Sequence, residues 1–161
     1  MSSKITFRDK AVSNDIKTIY DMVKSTGFFR DDEELIAKEL IEEKVRDGEK
    51  CSYRFLFLEV DGKPVSYTCF GLIPCSLISY DLYWIVTHND YRGKGYGQIL
   101  LAETEKYIKK LGGAQVVVET SSKEIYKSTQ HFYEKCNYKL AVLLDDFYDY
   151  GDGKLVYIKK V

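Results

Sequence analysis

The sequence predicts a single α/β domain built on a mixed sheet. With 161 residues the chain fits one domain covering residues 1–161. Strand-like runs alternate with amphipathic helical runs along its whole length. Residues 79–120 have the strand–helix–strand spacing of a βαβ unit, whose two strands run parallel with a right-handed crossover. A hairpin elsewhere adds antiparallel pairing, so the sheet is expected to be mixed.

The N-terminal half is predicted to contain a strand, two helices and a hairpin. Ser13 or Asn14 can cap the first helix, which ends at Gly27. The second helix has acidic residues in its first turn and ends at Gly48. In order, the elements are a strand at 4–9, a helix at 14–26, a helix at 31–46 and a hairpin around Asp61-Gly62.

The C-terminal half is predicted to contain four strands and two helices. In order, they are a strand at 79–87, a helix at 97–111, a strand at 114–120, a helix at 123–136, and strands at 138–144 and 154–160 around an acidic loop. In the helix at 97–111, Glu105 is expected to pair with Lys109 four residues later. The helix at 123–136 is expected to bury Ile125, Thr129, Phe132 and Cys136.

Composition excludes several classes of protein. A net charge of −1 argues against a nucleic-acid partner. No basic leader precedes an apolar run, and no apolar run is long enough to span a membrane, so we expect a cytoplasmic protein. His88 and His131 lie far apart in sequence, without a metal-ligand spacing, so no metal site is expected. The cysteines form no Cys-x-x-Cys pair and are expected to be small buried hydrophobes: Cys51, Cys69, Cys75 and Cys136.

The most informative stretch is R-G-K-G-Y-G at positions 92–97, between a predicted strand and a predicted helix. The first amides of a helix have no partner within it, and the helix dipole favours an anion there. A glycine turn entering a helix is therefore a phosphate-binding arrangement, although a plain tight turn would explain the glycines too. The dinucleotide-binding fingerprint G-x-G-x-x-G does not match, because its third glycine is replaced by Gln98. The P-loop motif does not match either, because it needs four residues between its two glycines.

The remaining pattern, R-x-x-G-x-G at Arg92, Gly95 and Gly97, resembles the pyrophosphate-binding motif Q/R-x-x-G-x-G/A of the GCN5-related N-acetyltransferase (GNAT) superfamily. The segment L-Y-W-I-V-T-H-N-D-Y-R-G-K-G-Y-G is similar to that superfamily's strand and loop, and H-F-Y-E-K-C-N-Y to its later F-Y-E-K-x-G-F/Y signature. The chain departs from the signature at Asn137, where asparagine is the best substitute for a left-handed glycine after a helix.

The resemblance covers essentially the whole chain and implies a GNAT-like fold. In that fold a central mixed, mostly antiparallel sheet with a parallel βαβ core is flanked by helices. It implies acetyl-coenzyme A as cofactor and direct transfer of its acetyl group, in a ternary complex, to a primary amine of a small molecule or peptide. A homodimer is left open, and no membrane partner is implied.

The resemblance also implies where the cofactor binds. Backbone amides of the strand before the loop, in the segment Ile85, Val86 and Thr87, would bind the thioester carbonyl. The pyrophosphate would be held by the loop itself: Arg92, Gly93, Lys94, Gly95, Tyr96 and Gly97.

Tyr133 matches the tyrosine of the F-Y-E-K signature, which often protonates the departing thiolate. A phenol with a pKa near ~10 keeps its proton at neutral pH and can donate it to a thiolate. Without the resemblance, a packing role for Tyr133 would be the simpler interpretation, since it is one of 14 tyrosines.

Asp81 lies in the strand before the loop, where some members of the superfamily carry their catalytic base. A carboxylate on a half-buried aromatic strand would have a raised pKa, which suits a base. A salt-bridged Asp81, or one that anchors a cationic substrate, remains an alternative. Glu119 is a competing base and Tyr83 a candidate for a relay through water.

A non-catalytic acyl-coenzyme A sensor or interaction module with the same fold is the alternative function. Retention of both the glycine loop and Tyr133 favours the enzyme, because a pure binder has no need of a proton donor.

Overall fold

The computed structural model describes residues 2–161, and within that range it contains four α-helices and seven strands. Three single-turn 3-10 helices lie between them. The bounds are β1 Ile5–Arg8, α1 Asn14–Ser25, α2 Asp31–Asp47, β2 Arg54–Val60, β3 Lys63–Leu72, β4 Ser79–Thr87, α3 Tyr96–Lys110, β5 Gln115–Ser121, α4 Lys127–Lys135, β6 Lys139–Asp149 and β7 Asp152–Lys160.

The strands form one seven-stranded sheet in the order β1-β2-β3-β4-β5-β7-β6. The pairs β1–β2, β2–β3, β5–β7 and β6–β7 are antiparallel. β4 and β5 are parallel, with Ser79 opposite Gln115 and Asp81 opposite Val117. The predicted fold class, a mixed and mostly antiparallel sheet with a parallel βαβ unit, is confirmed.

The hairpin of β2 and β3 turns at the predicted Asp61-Gly62. Both residues have positive φ, 50° and 80°, as a two-residue turn that follows the right-handed twist of the strands requires. Val60 and Lys63 are paired directly across it.

The chain divides into two compact units, residues 2–71 with Trp84–Thr104 and Leu72–Tyr83 with Glu105–Val161. That the two units act as one domain stays a prediction. The core of the first unit draws on α1, α2 and strands β2 to β4. It consists of Ile19, Met22, Val23, Ala37, Ile41, Phe55, Phe57, Tyr67, Cys69 and Val86.

An ion-pair network in the first unit fixes the start of α1. Arg8 on β1 donates two hydrogen bonds to Asp15, at 2.8 and 2.9 Å, and one to Glu59 on β2, at 2.7 Å. Asp15 is buried and also accepts from the backbone amide of Val12. Ser13 occupies the N-cap position but makes no side-chain cap, so the predicted capping bond is wrong. The Asp15 carboxylate satisfies the backbone there instead.

Two predictions for the second unit are wrong. The acidic segment at 145–153 is mostly strand, since β6 continues to Asp149 and β7 starts at Asp152, leaving a tight turn with Gly151 at φ 74°. Asp146 accepts the amide of Gly151 and so folds the tip onto the strand.

The buried face of α4 also differs from the predicted one. A 3-10 turn at Glu124–Tyr126 precedes α4, which starts only at Lys127, so the helical phase differs from that of a helix starting at 123. Gln130 and Tyr133 are buried within α4. Of the four residues predicted to be buried, Cys136 is buried, Thr129 and Phe132 are half-buried, and Ile125 is exposed.

Three of the four cysteines are buried, as expected, but Cys75 is exposed in a turn with φ 69°. Among residues 2–161, no helix combines the length and the apolar character that crossing a membrane requires.

Candidate active site

The glycine loop connects β4 to α3 in the first unit. After Thr87 the chain makes a 3-10 turn at Asn89–Tyr91, and α3 begins at Tyr96. The amide of Ile99 donates to the carbonyl of Gly95 at 3.1 Å, which makes Gly95 the residue that caps the helix. The amides that follow Gly95 belong to the first turn, where an α-helix offers them no partner.

Turn geometry explains two of the three glycines. Gly93 and Gly95 have φ of 74° and 81°, a region that favours glycine. Gly97 lies in the first turn of α3, within the helix, where glycine has a lower helix propensity than alanine. A Cβ added at Gly93 or Gly95 would meet no protein atom within 4 Å, so the backbone is open on that side. The phosphate hypothesis explains Gly97, whereas a plain turn does not.

The loop is anchored by polar contacts with β3 and α1. The amide of His88 donates to the carbonyl of Val65 at 2.9 Å, and the amide of Asn89 to the hydroxyl of Ser25 at 3.0 Å. The His88 ring accepts the amide of Asp90 through Nδ1, which gives this histidine a structural role in the turn.

The end of β4 is held in the same way. The Ser66 hydroxyl donates to the carbonyl of Val86 at 2.8 Å and lies 2.8 Å from the hydroxyl of Thr87. Val86 is buried in the core, and Ile85 and Thr87 are half-buried beside it. The predicted cofactor-binding residues of β4 and the loop are therefore continuous along the chain within the first unit.

Two lysines surround Tyr91 in the 3-10 turn. Lys94 Nζ lies 5.1 Å and Lys63 Nζ 5.6 Å from the centre of the Tyr91 ring. Arg92 and Lys94 are exposed, so their charges face solvent. Sequence reasoning did not identify Lys63, because nothing local to a hairpin turn places its first residue beside a loop that begins about 25 positions later.

Tyr133 lies in the second unit and is buried in an aromatic cluster. Its ring centre is 5.6 Å from that of Tyr138 and 6.2 Å from that of Tyr157. Burial raises the pKa of Tyr133 above its ordinary value, with the nearby Cys136 adding to the shift. The phenol therefore keeps its proton at neutral pH.

The end of α4 fixes the position of Tyr133. The amide of Tyr138 donates to the carbonyl of Tyr133 and the amide of Asn137 to that of Glu134, both at 3.0 Å. This pair of bonds is a Schellman motif, and its usual apolar contact is the one between the rings of Tyr133 and Tyr138. Asn137 has φ 68°, so the expected left-handed conformation is confirmed.

Carboxylates accept hydrogen bonds from both neighbouring phenols. Tyr138 donates to Glu105 at 3.0 Å, and Tyr157 donates to Glu134 at 3.1 Å. Burial is the main cause that raises the pKa of Tyr157 to about 12. Lys159 also donates to Glu105, at 2.8 Å, so the predicted pairing of Glu105 with its helical neighbour is wrong. Partners from β7 and from the end of α4 supply the bonds instead.

Asp81 lies half-buried on β4 in the second unit. Burial raises its pKa above the ordinary value, Glu119 raises it further, and Lys154 partly opposes the shift. Lys154 Nζ lies 2.8 Å from the Glu119 carboxylate. Asp81 is paired with Val117 on β5, and Glu119 is two residues further on the same face of that strand.

Asp81 and Glu119 therefore interact within one cluster in the structure. From the sequence they were predicted to be alternative candidates for the general base. Lys154 completes that cluster and was not predicted, since it is distant in sequence from both carboxylates. Among residues 2–161, no group of three or more potential ligands is arranged to hold a metal ion.

The model of the acetyltransferase (GNAT) family matches residues 15–138. A GNAT-family structure from Desulfovibrio desulfuricans is 34% identical, with a TM-score of 0.95, and the match covers 98% of this chain and 99% of that chain. A comparison with curated protein sequences finds no match.

Two more distant structures share the fold. The ribosomal-protein-S18-alanine N-acetyltransferase from Escherichia coli is 17% identical, with a TM-score of 0.75 and coverage of 98% and 94% of the two chains. The PaiA N-acetyltransferase from Thermoplasma acidophilum, in complex with coenzyme A, is 20% identical, with a TM-score of 0.72 and coverage of 98% and 99%.

The cluster around Asp81 predicts opposite pKa shifts for two neutralising substitutions. Glu119→Gln is expected to lower the pKa of Asp81, because it removes a repelling charge, and Lys154→Met to raise it, because it removes an attracting one. A carbon-13 NMR titration of the Asp81 carboxyl measures both shifts. Lys159→Met, which removes a lysine paired with Glu105, is the control and should leave the titration unchanged. Shifts in the same direction for the two variants would contradict the coupling.

Proposed function

Because this chain belongs to the GNAT family of acetyltransferases, we propose that it is an acetyl-coenzyme A-dependent N-acetyltransferase. In this proposal the acetyl group passes directly, in a ternary complex, to a primary amine of a small molecule or peptide. The observation that carries the proposal is the open backbone at the start of α3, with a glycine at position 97 that the turn does not require.

The loop binds the donor through its backbone. Amides of residues 93–97 hold the pyrophosphate of coenzyme A, and Arg92 and Lys94 add charge-assisted contacts. The positive end of the helix dipole favours the same anion. Support comes from the coenzyme A present in the PaiA structure, which shares the fold of this chain.

The thioester carbonyl is bound by a backbone amide of Ile85, Val86 or Thr87. Attack by the amine places negative charge on that carbonyl oxygen, and a fixed amide stabilises it without having to reorient. The hydroxyl of Ser66 already donates to the Val86 carbonyl, which makes this stretch of β4 rigid.

Tyr133 acts as general acid in the proposed reaction. When the tetrahedral intermediate collapses, the carbon–sulfur bond breaks and the phenol transfers its proton to the thiolate. A raised pKa keeps Tyr133 protonated until that step. The amine's proton is taken up by Asp81, which then releases it to solvent, and solvent returns a proton to the phenolate.

Asp81 acts as the general base that removes the amine's proton. The pKa of Asp81 is raised towards neutral pH, so its carboxylate binds a proton more strongly than that of an exposed aspartate does. Glu119 strengthens this property through its charge. An Asp81 that only anchors a cationic amine is the competing role, and it predicts a different kinetic outcome.

The donor loop is tested by Gly95→Glu. A side chain at φ 81° is strained, and its carboxylate lies where the pyrophosphate binds, so coenzyme A should bind at least about tenfold more weakly by isothermal titration calorimetry. Gly112→Glu is the matched control, since Gly112 has φ 88°, open space around it and a place at the opposite end of α3. Equal affinity in wild type and Gly95→Glu would refute the phosphate loop.

The general acid is tested by Tyr133→Phe. Thiol release from acetyl-coenzyme A, measured against a panel of amines, should show kcat lowered by about 100-fold or more, with coenzyme A affinity retained. Tyr157→Phe, which also removes a phenol from the cluster, is the control and should keep kcat within about twofold. Binding of the cofactor by wild type without thiol release, for any amine, would instead support the sensor hypothesis.

The base is tested by Asp81→Asn. Loss of a base should lower kcat at neutral pH and be rescued as the pH rises and the amine loses its own proton. Loss of an anchor should raise only the acceptor KM. A raised pKa means that the charged carboxylate is disfavoured in the fold, so the stability it contributes at low pH is lost as the pH rises through that pKa. Thermal unfolding at neutral pH should therefore show no destabilisation of Asp81→Asn, which separates the kinetic effect from misfolding.

A further inference from the structure

A second positive charge lies beside the glycine loop and comes from another element. Lys63, the first residue of β3, has its Nζ 5.6 Å from the centre of the Tyr91 ring, and Lys94 of the loop has its Nζ 5.1 Å from the same centre. Both lysines are exposed. The two ammonium groups are therefore at most about 11 Å apart, close to the ~10 Å over which charges interact at 0.1 M salt.

Strand pairing fixes the place from which Lys63 reaches the loop. Lys63 is paired with Val60 across the tight turn of the hairpin that β2 and β3 form. β3 lies next to β4 in the sheet, and the bond from the His88 amide to the Val65 carbonyl joins the start of β3 to the residue that follows β4. The backbone of Lys63 is thus held beside the chain that leads into the loop.

The ring between the two lysines has aromatic neighbours of its own. The amide of Tyr91 donates to the carbonyl of His88 at 2.9 Å, and its ring meets that of His88 edge-on, with centres 6.0 Å apart. The centre of the Tyr91 ring is also 6.5 Å from that of Tyr96. An aromatic ring attracts ammonium groups, so a fixed Tyr91 restricts where Lys63 places its charge.

No carboxylate within residues 2–161 neutralises these two lysines, since neither forms an ion pair there. The acidic residues nearest to them in sequence have other contacts. Asp61 accepts the amide of Lys4 at 2.8 Å, and Asp90 Oδ2 lies 3.8 Å from Nδ1 of His88. Two like charges without a counter-ion repel each other, and a bound anion removes that repulsion.

The cofactor of the proposed function, on which this inference rests, supplies such an anion. Coenzyme A carries a 3′-phosphate, joined through a single ribose to the pyrophosphate that the glycine loop is proposed to hold. A phosphate monoester has a charge of about −1.5 to −2 at neutral pH, and lysine binds phosphate as a point charge. Lys94 lies in the pyrophosphate loop, whereas Lys63 lies a short distance from it on a different element, as a contact to the third phosphate requires.

We infer that Lys63, positioned by the ring of Tyr91, binds the 3′-phosphate of coenzyme A. The protein then discriminates coenzyme A from dephospho-coenzyme A, which lacks only that group. The pyrophosphate and the pantetheine arm are identical in the two molecules, so the difference in their affinities reports on the 3′-phosphate alone.

Lys63→Met tests the contact. Isothermal titration calorimetry should show that the variant binds coenzyme A about fivefold or more weakly, because a charge-assisted contact is lost, and dephospho-coenzyme A within about twofold of wild type. Lys50→Met is the matched control and should change neither affinity, because Lys50 is also exposed but precedes β2, at the end of the hairpin away from the turn.

Two outcomes of the calorimetry overturn the inference and leave the proposed function intact. One is an equal loss of affinity for both ligands in Lys63→Met, which would indicate general attraction of anions. The other is a wild type that binds the two ligands equally well. A wild type that binds neither ligand refutes the proposed function as well.

The positioning role of Tyr91 is tested by a pair of variants. Tyr91→Leu removes the ring and should lower the preference for coenzyme A over dephospho-coenzyme A by about threefold, whereas Tyr91→Phe keeps the ring and should retain that preference. A ring that only supports the turn would weaken both ligands to the same extent. An unchanged preference in Tyr91→Leu overturns the positioning role.

Kinetics provide a second readout of the Lys63 contact. The 3′-phosphate takes no part in the reaction, so the contact stabilises the ground state and the transition state equally. Lys63→Met should therefore raise the KM for acetyl-coenzyme A and leave kcat within about twofold of wild type. A lowered kcat with an unchanged KM overturns the inference.

Discussion

The N-terminus of α3 imposes the constraint on which the proposed chemistry depends. An α-helix leaves its first amides without partners, and in this chain they follow Gly93 and Gly95, where an added Cβ would meet no protein atom within 4 Å. The backbone is anchored before that point, through Ser25, Val65 and Ser66, so the amides are fixed in direction before a ligand arrives. A fixed set of donors loses little freedom when an anion binds, which is the general advantage of preorganised sites. In the proposed function, donor binding is thus a property of main-chain geometry, to which the side chains of the loop only add charge.

Burial raises the pKa of both proposed catalytic groups, Tyr133 and Asp81, and the same shift suits the different role of each. For Tyr133 a raised pKa preserves the proton of an acid, and for Asp81 it strengthens the affinity of a base for a proton. The two environments differ in their neighbours. Aromatic rings surround the phenol, and the carboxylates near it accept bonds from adjacent tyrosines, whereas Glu119 and Lys154 act on Asp81 through opposite charges. One physical cause, loss of water, thus raises the pKa of both groups, in the direction that the proposed acid and the proposed base require.

The parts of the structure that the sequence predicted are those set by local signals. Nearly all helices and strands were predicted from glycines, turn residues and helical periodicity. The same local signals predicted the Asp61-Gly62 turn, the glycine motif before α3 and the left-handed conformation of Asn137. The failures have a common cause, because they depend on which distant segments meet. Glu105 has its partners on β7 and after α4, and Lys154 reaches Glu119 across a strand pair. The extension of β6 and β7 into the acidic segment likewise depends on their pairing, which outweighs the turn-forming residues that suggested a loop.

Asn137 connects the end of a helix to the side chain proposed to do the chemistry. The residue at this position stops α4, and the two hydrogen bonds that form there hold the carbonyls of Tyr133 and Glu134 and bring the Tyr138 ring against that of Tyr133. A β-branched residue would resist the left-handed conformation, so the phenol would lose its alignment without being altered itself. Position 137 therefore helps to fix the alignment of Tyr133, the proposed general acid, without contacting the reacting groups. Substitutions at position 137 can therefore change the alignment of the Tyr133 phenol while leaving the proposed reacting groups themselves unaltered.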